Sequence, residues 1–273
     1  MSDNYTNPNF IKETFKSQIW DMQYKPVETW KNYKLSIVTT CMGRVADLSQ
    51  TLPYNLHPQM EIVLINYNSK DNLDDYIKTN HMKDIQEGRL SYYKTTEPQF
   101  YSMSHSRNIG YRVAKGDIIC SIDADNWLGD RSSTYHEFGN TLITLANQCN
   151  NAFFGKGIRN THGQLGFYKK HFEQLGGYDE TMCVYGLEDR DILLRAFNMG
   201  LSFYYWGGKH CHRIETSTKN KLSNNLIKSI KQSEDTNRII LNKNYESKVL
   251  KVNPNGYGKA KLLKNFKEEV ILN

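Results

Sequence analysis

Short apolar segments that alternate with helix-like segments constrain the fold of this chain most strongly. From residue 35 onward, apolar runs of strand length recur at 35–39, 61–66, 89–94 and 117–123. Helix-like segments lie between them, one from about residue 73 and one over 103–114. This alternation predicts an α/β fold, in which helices flank a mostly parallel central sheet and ligands bind at the carboxyl ends of the strands.

The second half of the chain continues the pattern and suggests three regions. A helix is predicted near 135–148, short strands at AFFGK and LSFYYW, and a helix that opens at YGLEDRDILLRAF. Residues 1–33 lack a period and are interpreted as an N-terminal arm, and residues 34–213 as the α/β domain. Residues 214–273 are interpreted as a basic, helical C-terminal extension.

Composition limits the class of protein and its location. The 273 residues are 38% hydrophobic and 12% aromatic, which is enough for a packed core. No apolar run is long enough to cross a bilayer, and the polar N-terminus lacks the core of a signal peptide, so we expect a cytoplasmic protein. The five cysteines are scattered and never spaced as CxxC, which fits a reducing compartment.

The net charge of +6 lies in the C-terminal extension. Residues 214–273 contain twelve Lys and Arg against six Asp and Glu, so the rest of the chain balances to zero. A solvated helical face is the commoner explanation for such a bias. The alternatives, which stay open, are peripheral contact with the anionic inner face of a membrane, an acidic partner or nucleic acid.

Two acids end a predicted strand in the stretch SIDADNW. Strand side chains alternate between faces, so Asp123 and Asp125 share a side if the extended geometry persists. Two close carboxylates repel each other, and a bound Mg²⁺ or Mn²⁺ that also contacts nucleotide phosphates relieves the repulsion. A polar turn that only satisfies the backbone is the other interpretation.

A second acidic pair opens a predicted helix. Glu188 and Asp189 fall in its first turn, where the helix dipole alone can explain them. A carboxylate at that position, facing the ligand edge of the sheet, can also accept a proton from an attacking hydroxyl. Asp191 and Arg195 are four residues apart and can form a pair within the helix.

Three further side chains are candidates for the same site. His210 and His212 point the same way if their segment is extended, and either could complete the coordination of an ion at Asp125, although a surface role fits each equally well. Arg107, near the start of a predicted helix, could face an anionic ligand or pair with one of the two aspartates.

Five motifs of the sequence together resemble those of a known protein family. TTCMGR, INYNSKD, SRNIGYRVAKGDIICSIDADN, LGGYDE and YGLEDRDILLR occur in the order and spacing of nucleotide-sugar glycosyltransferases of the GT-A (Rossmann-like) fold. The likeness is greatest to family 2 enzymes and to the β1,4-galactosyltransferase and chondroitin-polymerase-like groups. It implies an inverting transfer from a UDP-sugar, such as UDP-Gal, UDP-GalNAc or UDP-Glc, to a hydroxyl acceptor in glycan synthesis, and it implies no nucleic-acid partner.

The resemblance also implies a donor site. The residues expected along the nucleotide are Thr39, Thr40, Cys41, Arg44, Asp71 and Asp123. Asp123 and Asp125 are expected to hold Mn²⁺ or Mg²⁺ on the diphosphate, with His212 fitting slightly better than His210 as a further ligand.

For the acceptor side, the resemblance implies that Asp189 is the general base and that Glu188 binds the acceptor sugar. Galactosyltransferases have a tryptophan where this chain has Tyr185, so the resemblance does not imply that this chain uses the same acceptor as they do.

The sequence pattern allows two other functions. A sugar-nucleotide nucleotidyltransferase would carry a glycine-rich phosphate loop after the first strand, but TTCMGRVADL contains a single glycine. A non-catalytic protein that binds nucleic acid or another partner on a degenerate transferase core would rest on the basic extension. The four intact acidic residues of the two motifs argue against it.

Overall fold

The computed structural model describes residues 35–56, 60–128, 152–155, 164–205, 211–215 and 217–273. Its strands are β1 (Leu35–Cys41), β2 (Met60–Tyr67), β3 (Leu90–Thr95), β4 (Ile118–Asp123), β5 (Asn126–Leu128), β6 (Ala152–Gly155), β7 (Leu165–Tyr168), β8 (Ser202–Tyr205), β9 (Cys211–Arg213), β10 (Ala260–Lys264) and β11 (Glu268–Leu272). Its helices are α1 (Val45–Asn55), α2 (Leu73–Asn80), α3 (Met82–Gln86), α4 (Met103–Val113), α5 (Lys169–Gln174), α6 (Glu188–Asn198), α7 (Thr218–Leu222) and α8 (Ile230–Glu246).

Nine of these strands form one sheet in the order β11-β10-β3-β2-β1-β4-β7-β6-β8. The four strands at its centre, β3, β2, β1 and β4, are all parallel. Strands β7 and β10 run antiparallel to their neighbours in this central group. Strands β5 and β9 pair separately as a small antiparallel ribbon. The prediction of an α/β fold around a mostly parallel central sheet is therefore confirmed.

The sheet is covered on both faces, as buried parallel strands require. Ile37 and Cys41 of β1 pack into one core cluster, with Leu48 and Leu52 of α1. Val38, from the alternate face of the same strand, belongs to a second cluster with residues of α4 and α6. The alternation of side chains along β1 thus decides which residues meet each layer.

The predicted strands and helices of residues 35–123 are present, with ends that shift by one or two residues. Helix α1 was not predicted. The N-terminal arm and the helix expected near 135–148 lie outside the described residues. None of the described helices combines the length and the apolar character that a membrane span requires.

The C-terminal extension differs from its prediction. It is helical at α7 and α8, but residues 260–272 form a hairpin that joins the central sheet, where β10 pairs with β3. The hairpin was missed because its strands are half polar and gain their burial from the rest of the domain. Much of the extension is therefore part of the α/β domain, and its contact with a membrane stays a prediction.

Candidate active site

A cleft opens at the carboxyl ends of β1 and β4. Thr40 and Asp123 are paired residues of these neighbouring strands, so their side chains start side by side. The cleft encloses about 820 Å³, counting the space open to solvent. Thr40, Asp123, Asp125 and Tyr185 are among the residues that line it. This is the edge at which the alternation of strands and helices predicted ligand binding.

The two aspartates are held by a turn. Asp123 ends β4, and Asp125 lies between β4 and β5. The backbone N–H of Asp123 donates to Asn126 Oδ1 at 3.2 Å, and the hydroxyl of Thr51 in α1 donates to the carbonyl of Ala124 at 2.7 Å. The polar turn is therefore present, and although the extended geometry ends at Asp123, both aspartates line the cleft.

The two carboxylates act on each other electrostatically. Arg44 Nη2 donates to Asp125 Oδ2 at 3.1 Å, and Arg44 also pairs with Asp47. Burial and the charge of Asp123 raise the pKa of Asp125 above its usual value, against the effect of Arg44. Close, repelling oxygen donors fit Mn²⁺ or Mg²⁺. Within the described residues, no three His, Cys, Asp or Glu side chains form a complete metal cluster.

Arg107 connects the end of β4 to the start of α6. It is 2% exposed, and its Nη1 donates to Asp189 Oδ1 at 2.8 Å and reaches Glu188 Oε1 at 3.5 Å. Its Nη2 donates to Asp123 Oδ1 at 3.1 Å, and its Cζ lies 5.6 Å from the centre of the Tyr178 ring. Burial acts to lower the pKa of Arg107, but the surrounding carboxylates raise it well above its usual value. Pairing with carboxylates was one of its two predicted roles.

Glu188 and Asp189 occupy the first turn of α6, as predicted. The side chain of Glu188 is 3% exposed and that of Asp189 is 16% exposed. Burial and the charge of Asp189 raise the pKa of Glu188 to about 8. Glu188 Oε2 has no hydrogen-bond partner in the part of the chain that the structure describes. Of the two acids, Asp189 is therefore the more accessible to solvent.

The backbone before α6 is unusual. Gly186 has a φ of 93° and Leu187 a φ of 70°, a region that glycine tolerates and that strains leucine. Asn237 of α8 donates to the carbonyls of Val184 at 2.9 Å and Gly186 at 2.6 Å. A helix of the C-terminal extension therefore holds the loop that sets the position of Glu188 and Asp189.

His212 lies beside the turn that carries the aspartates. It pairs in β9 with Trp127 of β5, and the two rings stack with centroids 5.3 Å apart. The N–H of Ile214 donates to the carbonyl of Asp125 at 2.8 Å. The role of His212 as a metal ligand stays a prediction, and His210 lies outside the described residues.

Of the residues near the end of β1 that were predicted to lie along the nucleotide, some line the cleft and others are buried on the opposite face of the strand. Thr40 and Arg44 line the cleft. Thr39 and Cys41 are buried, and the alternation of side chains turns them away from the face of Thr40. Burial raises the pKa of the Cys41 thiol to about 12, so this thiol is neutral at physiological pH.

Asp71 supports the loop after β1. Its Oδ2 accepts a hydrogen bond of 2.9 Å from the N–H of Val45, the first residue of α1. Its Oδ1 accepts a bond of 2.8 Å from the hydroxyl of Ser69, which in turn accepts one from the N–H of Gly43. Asp71 thus positions the loop that carries Arg44, and its predicted contact with the base stays a prediction.

One wall of the cleft comes from residues in and near β9 and α7, for which no motif predicted a role in the site. The residues of this wall are Arg213, Asn220, Lys221, Asn224 and Asn225. Asn224 Nδ2 donates to the carbonyl of Met42 at 2.6 Å, and the carbonyl of Asn224 accepts from the N–H of Tyr101 at 2.8 Å. No local motif could have found this wall, because Asn224 and Met42 are 182 residues apart.

Two family models match the chain. Residues 36–132 match glycosyl transferase family 2, and residues 145–219 match the N-terminal domain of galactosyltransferase. No curated protein matches the sequence.

Solved structures show a similar fold. The mannosyltransferase PcManGT from Pyrobaculum calidifontis, in complex with GDP-Man and Mn²⁺, is similar over 81% of this chain and 70% of its own, with a TM-score of 0.59 and 14% identity. TarS 1–349 from S. aureus, in complex with UDP, is similar over 78% of this chain and 72% of its own, with a TM-score of 0.53 and 11% identity.

The fold and the two family matches together identify the chain as a glycosyltransferase of the GT-A fold. The resemblance found in the sequence is thereby confirmed. The family 2 match contains the Asp-x-Asp strand, and the galactosyltransferase match contains the start of α6.

Proposed function

We propose that this enzyme transfers a sugar from a nucleotide-sugar to a hydroxyl group of an acceptor, with inversion at the anomeric carbon. The observation that carries the proposal is the connection Asp123–Arg107–Asp189, in which one buried cation ties the donor-side carboxylate to the more exposed acid of α6. The complexes of the similar mannosyltransferase with GDP-Man and of TarS with UDP support a nucleotide-linked donor.

The donor is proposed to lie in the cleft with its diphosphate beside the two aspartates. Asp123 and Asp125 would hold Mn²⁺ or Mg²⁺, with His212 or His210 as a further ligand. When bound, the ion supplies positive charge that stabilises a leaving diphosphate. Thr40 and Arg44, which line the cleft, are expected to contact the nucleotide.

Asp189 is proposed as the general base. It takes the proton of the acceptor hydroxyl while the hydroxyl oxygen bonds to the anomeric carbon. The bond from that carbon to the diphosphate oxygen breaks, and its electron pair leaves with the nucleoside diphosphate. Attack from the face opposite the diphosphate inverts the configuration. Arg107, at 2.8 Å, fixes the orientation of Asp189 during this step.

Glu188 is proposed to bind the acceptor. With its pKa raised to about 8, it carries a proton at neutral pH and can both donate and accept hydrogen bonds. Its Oε2 has no partner among the described residues, and a buried polar atom gains stability when a ligand supplies one.

A panel of UDP-sugars and GDP-sugars with Mn²⁺ tests the proposal. We expect one donor to raise the melting temperature in the presence of Mn²⁺ and to be hydrolysed slowly when no acceptor is added. A protein that is neither stabilised by any donor nor able to hydrolyse one would overturn the proposal.

A further inference from the structure

The cleft contains two cations to which the mechanism above gives no role. Arg213 at the end of β9 and Lys221 in α7 both line it. Over the residues that the structure describes, neither forms an ion pair, whereas the third cation of the cleft, Arg44, pairs with Asp47 and Asp125. Two cations in a cleft without carboxylate partners are available to an anionic ligand.

The backbone around Lys221 is firmly attached to the rim of the cleft. Asn224 bonds to Met42, and Gly43 approaches it so closely that a Cβ on Gly43 would lie 2.6 Å from Asn224 Nδ2. The buried Asn225 donates to the carbonyl of Lys221 at 3.1 Å. Lys221 itself is half-buried on this wall.

The position of Lys221 relative to the aspartates points to a phosphate ligand. Lys221 lines the same cleft as Asp123, Asp125 and Arg44. The charged residues that line the cleft are three cations and two carboxylates, so the lining favours an anion even before a metal ion is added. A diphosphate beside Asp125 would lie in the cleft that both Arg44 and Lys221 line.

We propose that Lys221, assisted by Arg213, binds the diphosphate of the donor. This inference rests on the proposed function and assigns a residue beyond both matched segments, which end at 132 and 219. A lysine ammonium binds phosphate as a compact point charge with three donors. When the bond to the anomeric carbon breaks, the electron pair stays on the diphosphate oxygen and the acceptor proton goes to Asp189. Lys221 then faces more negative charge and favours departure of the nucleoside diphosphate.

The test compares Lys221→Met with two other variants. Lys231→Met removes the same charge from an exposed position at the start of α8, and Lys221→Arg keeps the charge at the cleft. Calorimetric titration with Mn²⁺ measures binding of UDP, GDP, uridine and guanosine. We expect Lys221→Met to weaken binding of the recognised nucleoside diphosphate by about 10- to 100-fold and to leave the nucleoside unchanged. Lys231→Met should bind like the wild type, and Lys221→Arg should recover most of the loss.

Each other outcome overturns a defined part of the account. If Lys221→Met binds the diphosphate as tightly as the wild type, the inference is wrong and the proposed function stands. If the variant loses nucleoside binding equally, or melts several degrees lower without ligand, the lysine acts on the fold and the inference is wrong. If the wild type binds neither UDP nor GDP, the proposed function fails and the inference fails with it.

Discussion

Arg107 and Asp189 are joined by a hydrogen bond of 2.8 Å between guanidinium and carboxylate, and the other terminal nitrogen of Arg107 lies 3.1 Å from Asp123. One buried side chain therefore sets the position of the proposed base relative to the strand that carries the donor-side acids. A change at Arg107 acts on both halves of the proposed site.

Replacing Arg107 with methionine should destabilise the fold and abolish sugar transfer. Removing one partner of a buried ion-pair network leaves charges unpaired, at about 3–5 kcal/mol in the free energy of unfolding. Urea unfolding and a turnover assay measure the two effects.

Arg112→Met, on the same helix, is the control for Arg107. Arg112 lies outside the carboxylate network and donates to the carbonyl of Tyr257 at 2.9 Å. This control should keep its turnover and lose less stability. Near-normal transfer by Arg107→Met would show that the connection between the two acids is dispensable.

Asp125→Asn should remove the dependence of donor binding on Mn²⁺. The amide keeps the shape of the carboxylate but lacks its charge, so it is a poor ligand for a hard cation. Asp47→Asn is the matched control, because Asp47 also pairs with Arg44 but lies on α1. Titration of the donor with and without Mn²⁺ should show that donor binding depends on the metal in Asp47→Asn but not in Asp125→Asn. A retained metal effect in Asp125→Asn would remove Asp125 from the metal site.

The central strands could be predicted because their buried residues form short apolar runs in the sequence. β1, β2, β3 and β4 each combine strand length, apolar residues and flanking polar residues, and their observed ends differ little from the expected ones. Helix α1 was not predicted, because Pro53 near its end argues against a helix. Its buried residues, Leu48, Thr51, Leu52 and Asn55, nevertheless lie at helical spacing. The hairpin β10–β11 was missed because its stability depends on pairing with β3.

The site was predictable only where its residues lie in local motifs. Asp123, Asp125, Glu188 and Asp189 follow or begin regular elements, and the general rule for parallel sheets places them at one edge. Lys221, Asn224 and Asn237 reach the site through long-range packing, which a polar, lysine-rich segment does not signal. The sequence also does not show that Arg107 contacts both Asp123 and the acidic pair that begins α6.

The raised pKa of Glu188 predicts a pH dependence of stability. The pKa of a glutamate in the unfolded chain is about 4.3, and burial together with the charge of Asp189 raises the pKa of Glu188 in the folded protein to about 8. Between these values the folded state keeps a proton that the unfolded state has lost. The contribution of Glu188 to stability is therefore fully present below the unfolded pKa and is lost as the pH rises through the folded one.

Glu188→Gln isolates this contribution, because glutamine does not titrate. Thermal unfolding of the wild type and the variant, at pH values between the unfolded and the folded pKa of Glu188, should show the melting temperature of the variant rising relative to that of the wild type as the pH increases. The difference should level off above the folded pKa. A difference that stays constant with pH would mean that Glu188 is not protonated in the folded protein.

Asn237→Ala should weaken acceptor use and leave donor binding unchanged. The change removes hydrogen bonds to the carbonyls of Val184 and Gly186, and should lower the free energy of unfolding by about 1–3 kcal/mol. The loop before α6 then loses its support, so the acceptor KM should rise. Thr236→Ala is the control, since the hydroxyl of Thr236 bonds only within α8, to the carbonyl of Gln232 among the described residues. Equal kinetics in the two variants would show that α8 does not position the loop.

The most direct test of the account is the turnover of Asp189→Asn with a recognised donor and acceptor, measured together with the anomeric configuration of the wild-type product. Asparagine keeps the shape and can still accept a hydrogen bond from Arg107, but it cannot take the acceptor proton. We predict that transfer falls by about 10²–10⁴-fold while the donor Kd stays near that of the wild type, and that the wild-type product is inverted. Near-normal turnover of Asp189→Asn, or a product with retained configuration, would contradict the proposed mechanism.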